Sequence, residues 1–453
     1  MQSDIRESET IEFDSRKPVA IVGAGLAGLT AAYFLRRQNV PVVLYEAGQK
    51  IAGLATSFHD QDGFTYDFGA HFLTNRLAAA TGIGAHCRTV KYYGETVLLR
   101  GRTYSYPFGL LQVPRFLAGG LASRIQPVDE KRKNSSAAEW FRASYGRELA
   151  DEVALPLLEA WSGAAASDLS ASVGNKLQNS IGQTLSLKLA SRLTGRAVAC
   201  GYSHEMPENP SVWHVYPDGG LGLLCQKLAD ELENAIQLES PVEEILVDSG
   251  RVQAIRVKGR EQAVSAVIST APCNILPKLV KGTNVLQPLS RFRFRPMVFV
   301  NMRFQGRGLL PDTVLWTPEN EFPFFRLTET PLSMPWLAPS DKTLITVDIG
   351  CNVGDEIWQM EEERLGQYCL EHLKPIVPDA NQRYLGCRVL RTPIAYPVFL
   401  NEYEAERQKF ERSTGVEGLY SIGRNGEFDH ILMEDIYWQT LKKVRGIVGA
   451  LQH

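Results

Sequence analysis

Three observations predict a mixed α/β fold for this 453-residue chain. The apolar run Val19 to Val22 meets a G-x-G-x-x-G turn at Gly23, Gly25 and Gly28, and a helical pattern follows through Leu35. A second apolar run, Val42 to Tyr45, ends at Glu46, about twenty residues downstream. Further strand-like runs, Ala263 to Thr270 and Leu419 to Ile422, come much later, so the sheet is assembled from separated pieces. The expected architecture is a discontinuous, Rossmann-like nucleotide-binding domain carrying an inserted α+β domain.

Each residue of the first turn has a physical task. Gly23 allows the tight turn, Gly25 lets backbone approach a pyrophosphate, and Gly28 lets the helix lie close to the strand. Leu26 and Ala27 open the helix, whose N-terminus offers free N–H groups and the positive end of a dipole to phosphates. Glu46, at the end of the second strand, can accept both hydroxyls of an adenosine ribose. Strand, turn, helix, second strand and acid together point to a dinucleotide.

Bulk properties bound the rest. With 44% hydrophobic and 22% charged residues, the composition is that of a globular protein. A net charge of -3 offers no basic field for nucleic acid. The seven cysteines are scattered without C-x-x-C or Cys/His spacing, which excludes a zinc-type motif and suggests reduced thiols in a cytoplasmic protein. No metal is expected. Met1 to Lys17 is polar and acidic and reads as a frayed leader, and no apolar run reaches membrane-spanning length. The last helical pattern, Ile436 to Leu451, has one apolar and one basic face and is expected to dock on the core.

The organisation follows from where these runs fall. Residues 1–85, 205–275 and 413–453 are expected to form the nucleotide domain, and 86–204 and 276–412 the substrate or cap domain. Within the middle piece, Val242 to Val247 and Val252 to Val257 flank a turn at Asp248-Ser249-Gly250. The first insertion has helical spacing over Ala137 to Tyr145 and Glu148 to Trp161, with a charged loop over Asp129 to Ser136. The second offers strands at Met297 to Phe304, Thr313 to Trp316, Phe322 to Leu327 and Thr343 to Ile349, then a helix over Glu356 to Leu373.

Two further segments carry a family resemblance. Lys50 to Phe58 with Thr65 to Phe72, and Gly418 to Phe428 leading to Met433-Glu434-Asp435, resemble the FAD family of amine oxidases, protoporphyrinogen oxidases and UDP-galactopyranose mutases. The Gly423-Arg424 version of the closing motif is most similar to the mutase branch. So are Val97 to Phe108, Phe322 to Glu329 and the Ala395-Tyr396-Pro397 turn. The resemblance implies FAD as cofactor, bound noncovalently in a glutathione-reductase-type domain. It implies that Gly53, Leu54 and Val242 join Gly23, Gly25, Leu26, Ala27, Gly28 and Glu46 at the cofactor, with Gly423, Arg424, Met433, Glu434 and Asp435 closing over it. Three positions depart from the family pattern. Ala52 precedes Gly53 where a Gly-Gly pair is usual, Leu54 replaces the arginine of amine oxidases, and Glu159 replaces a lysine before Trp161.

His71, Arg326 and Tyr396 are the candidates for chemistry. His71 is expected beside the flavin, as a hydrogen-bond partner, a general acid/base near neutral pH, or a packed ring. Arg326 lies among Phe322, Phe324 and Phe325, where it needs an anionic substrate group or a buried carboxylate such as Glu329. Arg291, Arg293 and Arg295 alternate on one strand face, expected to be solvated, while His59 and His430 read as structural loop residues. The expected activity is dehydrogenation of a small or medium organic substrate by hydride transfer to flavin N5. The alternatives are a sugar-nucleotide mutase without net redox change, in which Arg326 and Arg424 hold a diphosphate, and a non-catalytic flavin-binding scaffold. The expected partner is a small-molecule substrate, with no nucleic acid and no integral membrane association.

Overall fold

A computed structural model of the chain describes residues 17–125, 129–177, 181–201 and 203–452. All but Lys17 of the expected polar leader lies outside the described residues. The glycine-rich turn joins strand β1, Val19–Val22, to helix α1, Leu26–Arg37, which returns the chain to β2, Val42–Tyr45. β1 pairs in parallel with β2 on one side and with β3, Ala266–Ser269, on the other. Ile236–Gln237 extends the sheet beyond β2, and Leu419–Ser421 extends it beyond β3. Five strands from three distant stretches of chain therefore form one parallel sheet. The central strands β1 and β3 are buried on both faces, as the middle of a parallel sheet requires, while the edges are partly exposed.

The last helix, α2, spans Met433–Gln452 and lies against α1, with Tyr437, Val444, Ile447 and Val448 buried in the same core as Leu29 and Leu35. This is the core-docked helix that its apolar periodicity predicts. Beside the parallel sheet, Val242–Asp248 and Arg251–Val257 form an antiparallel pair. Ser249 and Gly250 turn it with φ of 50° and 80°, the positive-φ pair that suits a two-residue hairpin.

A seven-stranded sheet forms the other half of the molecule. Its strands run, in spatial order, 384–398, 293–305, 342–350, 326–329, 314–316, 95–99 and 102–105, so both insertions contribute to it. Two pairings straddle the boundaries drawn from sequence: Cys87–Thr89 pairs with His214–Pro217, and Val280–Lys281 pairs with Val242–Asp248.

Several element bounds differ from the sequence reading for local reasons. The strand expected over Phe322 to Leu327 is Arg326–Glu329, because Pro323 cannot donate to a ladder. The expected Glu356 to Leu373 helix is two helices, Glu356–Gln359 and Glu362–Leu373. The Asp129 to Ser136 loop contains a helical turn, Glu130–Lys133, that the Asp129 carboxylate caps. The helix before Trp161 carries a π-turn at Ala150–Ala154, next to Pro156, whose missing N–H loosens the ladder there.

Candidate functional site

The first half of the site is the glycine turn. Gly23 has φ +99° and Gly28 sits so close to it that a Cβ on Gly28 would lie 1.9 Å from the Gly23 carbonyl oxygen. Only glycine lets α1 start this near β1. A Cβ on Gly25 would meet nothing within 4 Å. Gly25 is the N-cap of α1 without a side-chain hydrogen bond, and no acid stands in the first turn. The N–H groups of that turn thus face an open side with positive helix-end potential, which fits a pyrophosphate.

The residues around this turn converge on it. Glu46 follows β2, and its carboxylate accepts the Ala24 N–H and the Gly48 N–H, both at 2.8 Å. It sits beside the turn with lone pairs left for hydroxyl donors. Val242 is buried two residues beyond Ser240, whose N–H donates to the Glu46 carbonyl at 2.8 Å. Ala52 donates its N–H to the Ala24 carbonyl at 2.8 Å, and a Cβ on Gly53 would stand 3.6 Å from the Gly25 Cα. Ala52 replaces the usual glycine at φ +83°, a conformation that favours glycine. Leu26 and Ala27 are buried and Leu54 is half-buried.

The closing segment meets the same helix start. A Cβ on Gly423, at φ +79°, would stand 2.5 Å from the Ala27 Cβ, so the two ends of the chain's signature touch there. The Gly423 N–H donates to Glu427 at 2.9 Å. Glu434 and Asp435, expected at the cofactor, direct their carboxylates elsewhere. Glu434 accepts Thr74 at 2.6 Å, and Arg76 and Trp438 at 2.8 Å each. Asp435 accepts the Ser203 hydroxyl at 2.6 Å and the N–H groups of His204 and Glu205 at 2.8 and 2.9 Å. Both acids are buried at the positive end of α2, where a negative charge is stabilised, and they tie distant segments of the chain to it. Met433 is half-buried at the same helix start.

The second half of the site gathers His71, Arg326, Tyr396 and Arg424. Arg326 donates through Nε at 2.8 Å, and through Nη2, to Asp348 Oδ2. Asp348 is fully buried and stands opposite Arg326 in the strand register. Burial alone would lower the Arg326 pKa, but the Asp348 charge and the tyrosines Tyr396 and Tyr93 raise it. The guanidinium lies 5.5 Å from the Trp316 ring. Glu329, the partner suggested by sequence, instead accepts the Gly308 and Leu310 N–H groups at 2.7 and 2.8 Å. On a strand, residues three apart point to opposite faces, so Glu329 faces away from Arg326.

Arg424 donates through Nη2 to the Ala395 carbonyl at 2.8 Å, and its buried Nε has no hydrogen-bond partner among the described residues. Its charge centre is 4.9 Å from the Tyr396 ring. Burial lowers its pKa, and Arg326 adds to that, against the pull of Tyr396 and Asp429. Burial likewise pushes His71 down to about 4, with the Arg424 and Arg326 charges contributing. A ring neutral at pH 7 fits the hydrogen-bond and packed-ring readings of His71 better than an acid/base titrating near neutrality. His71 Nδ1 is also buried without a hydrogen-bond partner among the described residues.

Aromatic and apolar groups frame this polar cluster. Tyr396 packs at 5.1 Å from both Trp161 and His430, and those two rings stack at 5.0 Å. Met297, Phe299, Phe325, Phe68 and Trp316 share the same cluster. Glu95 accepts Tyr93 at 2.7 Å and Trp316 at 2.8 Å, which holds both rings beside Arg326. Sequence reasoning missed Asp348, Tyr93 and Glu95, and gave His430 a loop role. The one visible signal for Asp348 was an acid inside the apolar strand Thr343 to Ile349, since a buried acid needs a partner. Of the alternating arginines, Arg295 is half-buried, 3.3 Å from Asn352, while Arg291 and Arg293 are exposed. The seven cysteines are free thiols, and no His/Cys/Asp/Glu group among the described residues could hold a metal.

Comparison with known proteins agrees with this arrangement. Coproporphyrinogen III oxidase of Bacillus subtilis (strain 168) is 23% identical over 423 residues, spanning 83% of this chain and 86% of its own length. Protoporphyrinogen oxidase 2 of Arabidopsis thaliana is 24% identical over 457 residues, spanning 89% and 86%. Reduced UDP-galactopyranose mutase superposes with a TM-score of 0.77 at 18% identity, covering 96% of each chain. Cyclohexylamine oxidase of Brevibacterium oxydans superposes with a TM-score of 0.70 at 14% identity, covering 96% of this chain and all of its own (100%). No described helix is long and apolar enough to cross a membrane. Residues 26–425 match the family described as flavin-containing amine oxidoreductase. That match runs from the first residue of α1 to just past Arg424 and so spans most of the chain, which therefore belongs to this family and is a flavoprotein oxidoreductase with FAD as its cofactor.

Proposed function

We propose that the chain dehydrogenates a small or medium organic molecule held against the Arg326, Tyr396 and Trp161 wall. In this reading the parallel sheet belongs to a Rossmann-like domain of glutathione-reductase type, and the seven-stranded sheet carries the substrate. Gly23, Gly25, Leu26, Ala27 and Gly28 hold the pyrophosphate, Glu46 the ribose, and Gly53, Leu54 and Val242 the adjoining cofactor wall. Gly423, Arg424 and the start of α2 close the flavin end. FAD, when bound, supplies the two-electron acceptor. The chain's own residues orient the substrate and keep water out. Tyr396, packed against both Trp161 and His430, presents a fixed hydroxyl, and neutral His71 offers a hydrogen bond without a charge.

The pairing of Arg326 with fully buried Asp348 carries this reading. With Nε and Nη2 committed to a carboxylate, Arg326 is suited to shaping the pocket, whereas a diphosphate site needs a guanidinium with its fork free. The names of the relatives suggest which molecules to offer. Porphyrinogens are reduced macrocycles, and an amine is the substrate class of the family name. The test is anaerobic spectroscopy of the FAD-loaded protein with a porphyrinogen, a set of amines and a set of alcohols. Bleaching of the flavin by one of them supports the reading. Turnover of a sugar nucleotide only after reduction with dithionite would replace it with the mutase, and a flavin inert in both trials would leave a scaffold.

A further inference from the structure

Two helices of the first insertion carry apolar stripes on their exposed faces. In Pro114–Ile125 the stripe is Leu117, Leu121 and Ile125, and in Ile181–Thr194 it is Leu185, Leu189 and Leu193. Both repeat every four residues, the spacing of one helix face. Ile125 is 83% exposed and Leu193 79% exposed, so these are outward-facing side chains and not the rims of a core. Phe116 and Leu187 anchor the helices on their inner sides. Lys188 donates to the Tyr106 carbonyl at 2.6 Å and lies 5.7 Å from the Phe108 ring, just before the first helix begins. That contact brings the two helices to the same region of the molecule.

Their charges are one-sided. The two helices contain Arg115, Arg124, Lys188 and Arg192 and no acid, in a chain whose net charge is -3. Arg115 is held inward by Glu152 at 2.6 Å, and Glu148 abuts Gly119 on the face opposite the stripe. Arg124 and Arg192 directly precede Ile125 and Leu193, so each stripe ends beside a cation.

We propose that this face docks on an anionic lipid bilayer surface. The stripes enter the boundary between headgroups and acyl chains, and Arg124 and Arg192 meet lipid phosphates. A second copy of the chain fits less well, because a two-fold contact through this face sets the same cations against one another. Zwitterionic lipid offers the apolar layer without the complementary charge.

The test is flotation of the FAD-loaded full chain with vesicles of phosphatidylcholine alone and with added phosphatidylglycerol. The expected result is association with the anionic vesicles, weakened by salt and by about tenfold or more on omitting phosphatidylglycerol. Leu121→Glu combined with Leu189→Glu should abolish it at unchanged FAD content and melting temperature, because both positions are exposed. Arg124→Glu with Arg192→Glu should lower association while leaving the apolar stripes intact. Absence of binding to anionic vesicles, or binding that both double variants retain, would overturn the proposal. So would a dimer in gel filtration that the leucine substitutions convert to monomer without any vesicle binding.

Discussion

Arg326 and Asp348 face each other across neighbouring antiparallel strands, and this pairing decides what either can do. The carboxylate is wholly buried and its Oδ1 has no hydrogen-bond partner among the described residues, so its compensation comes from Arg326. Asp348→Ala would leave the arginine as an uncompensated buried charge. The expected loss is about 3–5 kcal/mol of stability, read by urea unfolding of the FAD-loaded protein. Unchanged stability would mean that Arg326 finds a second acceptor. Glu46 is a contrasting residue, close to the glycine turn and only half-buried. Glu46→Ala removes the acceptor of Ala24 and Gly48 as well as the proposed ribose ligand. Each charge-assisted bond to ribose contributes about 1.5–3 kcal/mol, so FAD affinity should fall on the order of tenfold to hundredfold per bond. Equal affinity in a fluorescence titration would remove Glu46 from the cofactor site.

At the scale of elements, the start of α1 separates two uses of glycine. Gly28 serves packing, since an added Cβ would meet the Gly23 carbonyl oxygen at 1.9 Å. Gly28→Ala should force the helix off the sheet, lowering the stability of apo and loaded protein alike by about 1–3 kcal/mol or more. Gly25 serves access, since its Cβ would meet no protein atom within 4 Å. Gly25→Ala should leave the apo protein as stable as before and weaken FAD by at least about tenfold, through contact with the approaching pyrophosphate. A calorimetric comparison of the two variants with and without FAD checks both. A Gly25→Ala protein that binds FAD normally would place the pyrophosphate elsewhere. This contrast was legible in the motif. The positions of Glu434 and Asp435 were not, because their acceptor roles depend on Thr74 and Arg76 at the start of the helix Asn75–Ala80, and on the 203–205 loop, which only the fold brings to α2.

For the whole molecule, three buried groups set an acid limit. Burial, with Arg424 and Arg326, pushes His71 down to about 4, and burial pushes His214 to about the same value. Burial pushes Asp67 up to about 7, against hydrogen bonds from Ser57 and Tyr216. Below the ordinary histidine pKa the unfolded chain takes two protons that the folded histidines refuse until pH approaches 4. Over the same range folded Asp67 keeps one proton that the unfolded chain has released. From these groups the unfolded state binds about one proton more, so stability falls as pH drops from about 6.5 to about 4, by roughly 1.4 kcal/mol per unit. Asp67→Asn should remove the opposing contribution and steepen the fall. Urea unfolding across this range checks it, and a flat wild-type profile, or an unchanged slope in the variant, would contradict it.

The local and periodic parts of this protein can be read without coordinates. The α1 turn, the buried parallel strands, the Ser249-Gly250 hairpin and the apolar face of α2 follow from glycine stereochemistry, turn chemistry and side-chain periodicity, which act over a few residues. The FAD signature is of this kind too, since a backbone that must approach a pyrophosphate constrains neighbouring positions. The Arg326–Asp348 pair, the Tyr396–Trp161–His430 stack and the meeting of Ala27 with Gly423 are different. Each joins residues far apart in the chain through strand register and sheet packing. A one-residue slip in register would turn Asp348 to the other face of its sheet, so the partner of Arg326 is a property of the assembled sheet.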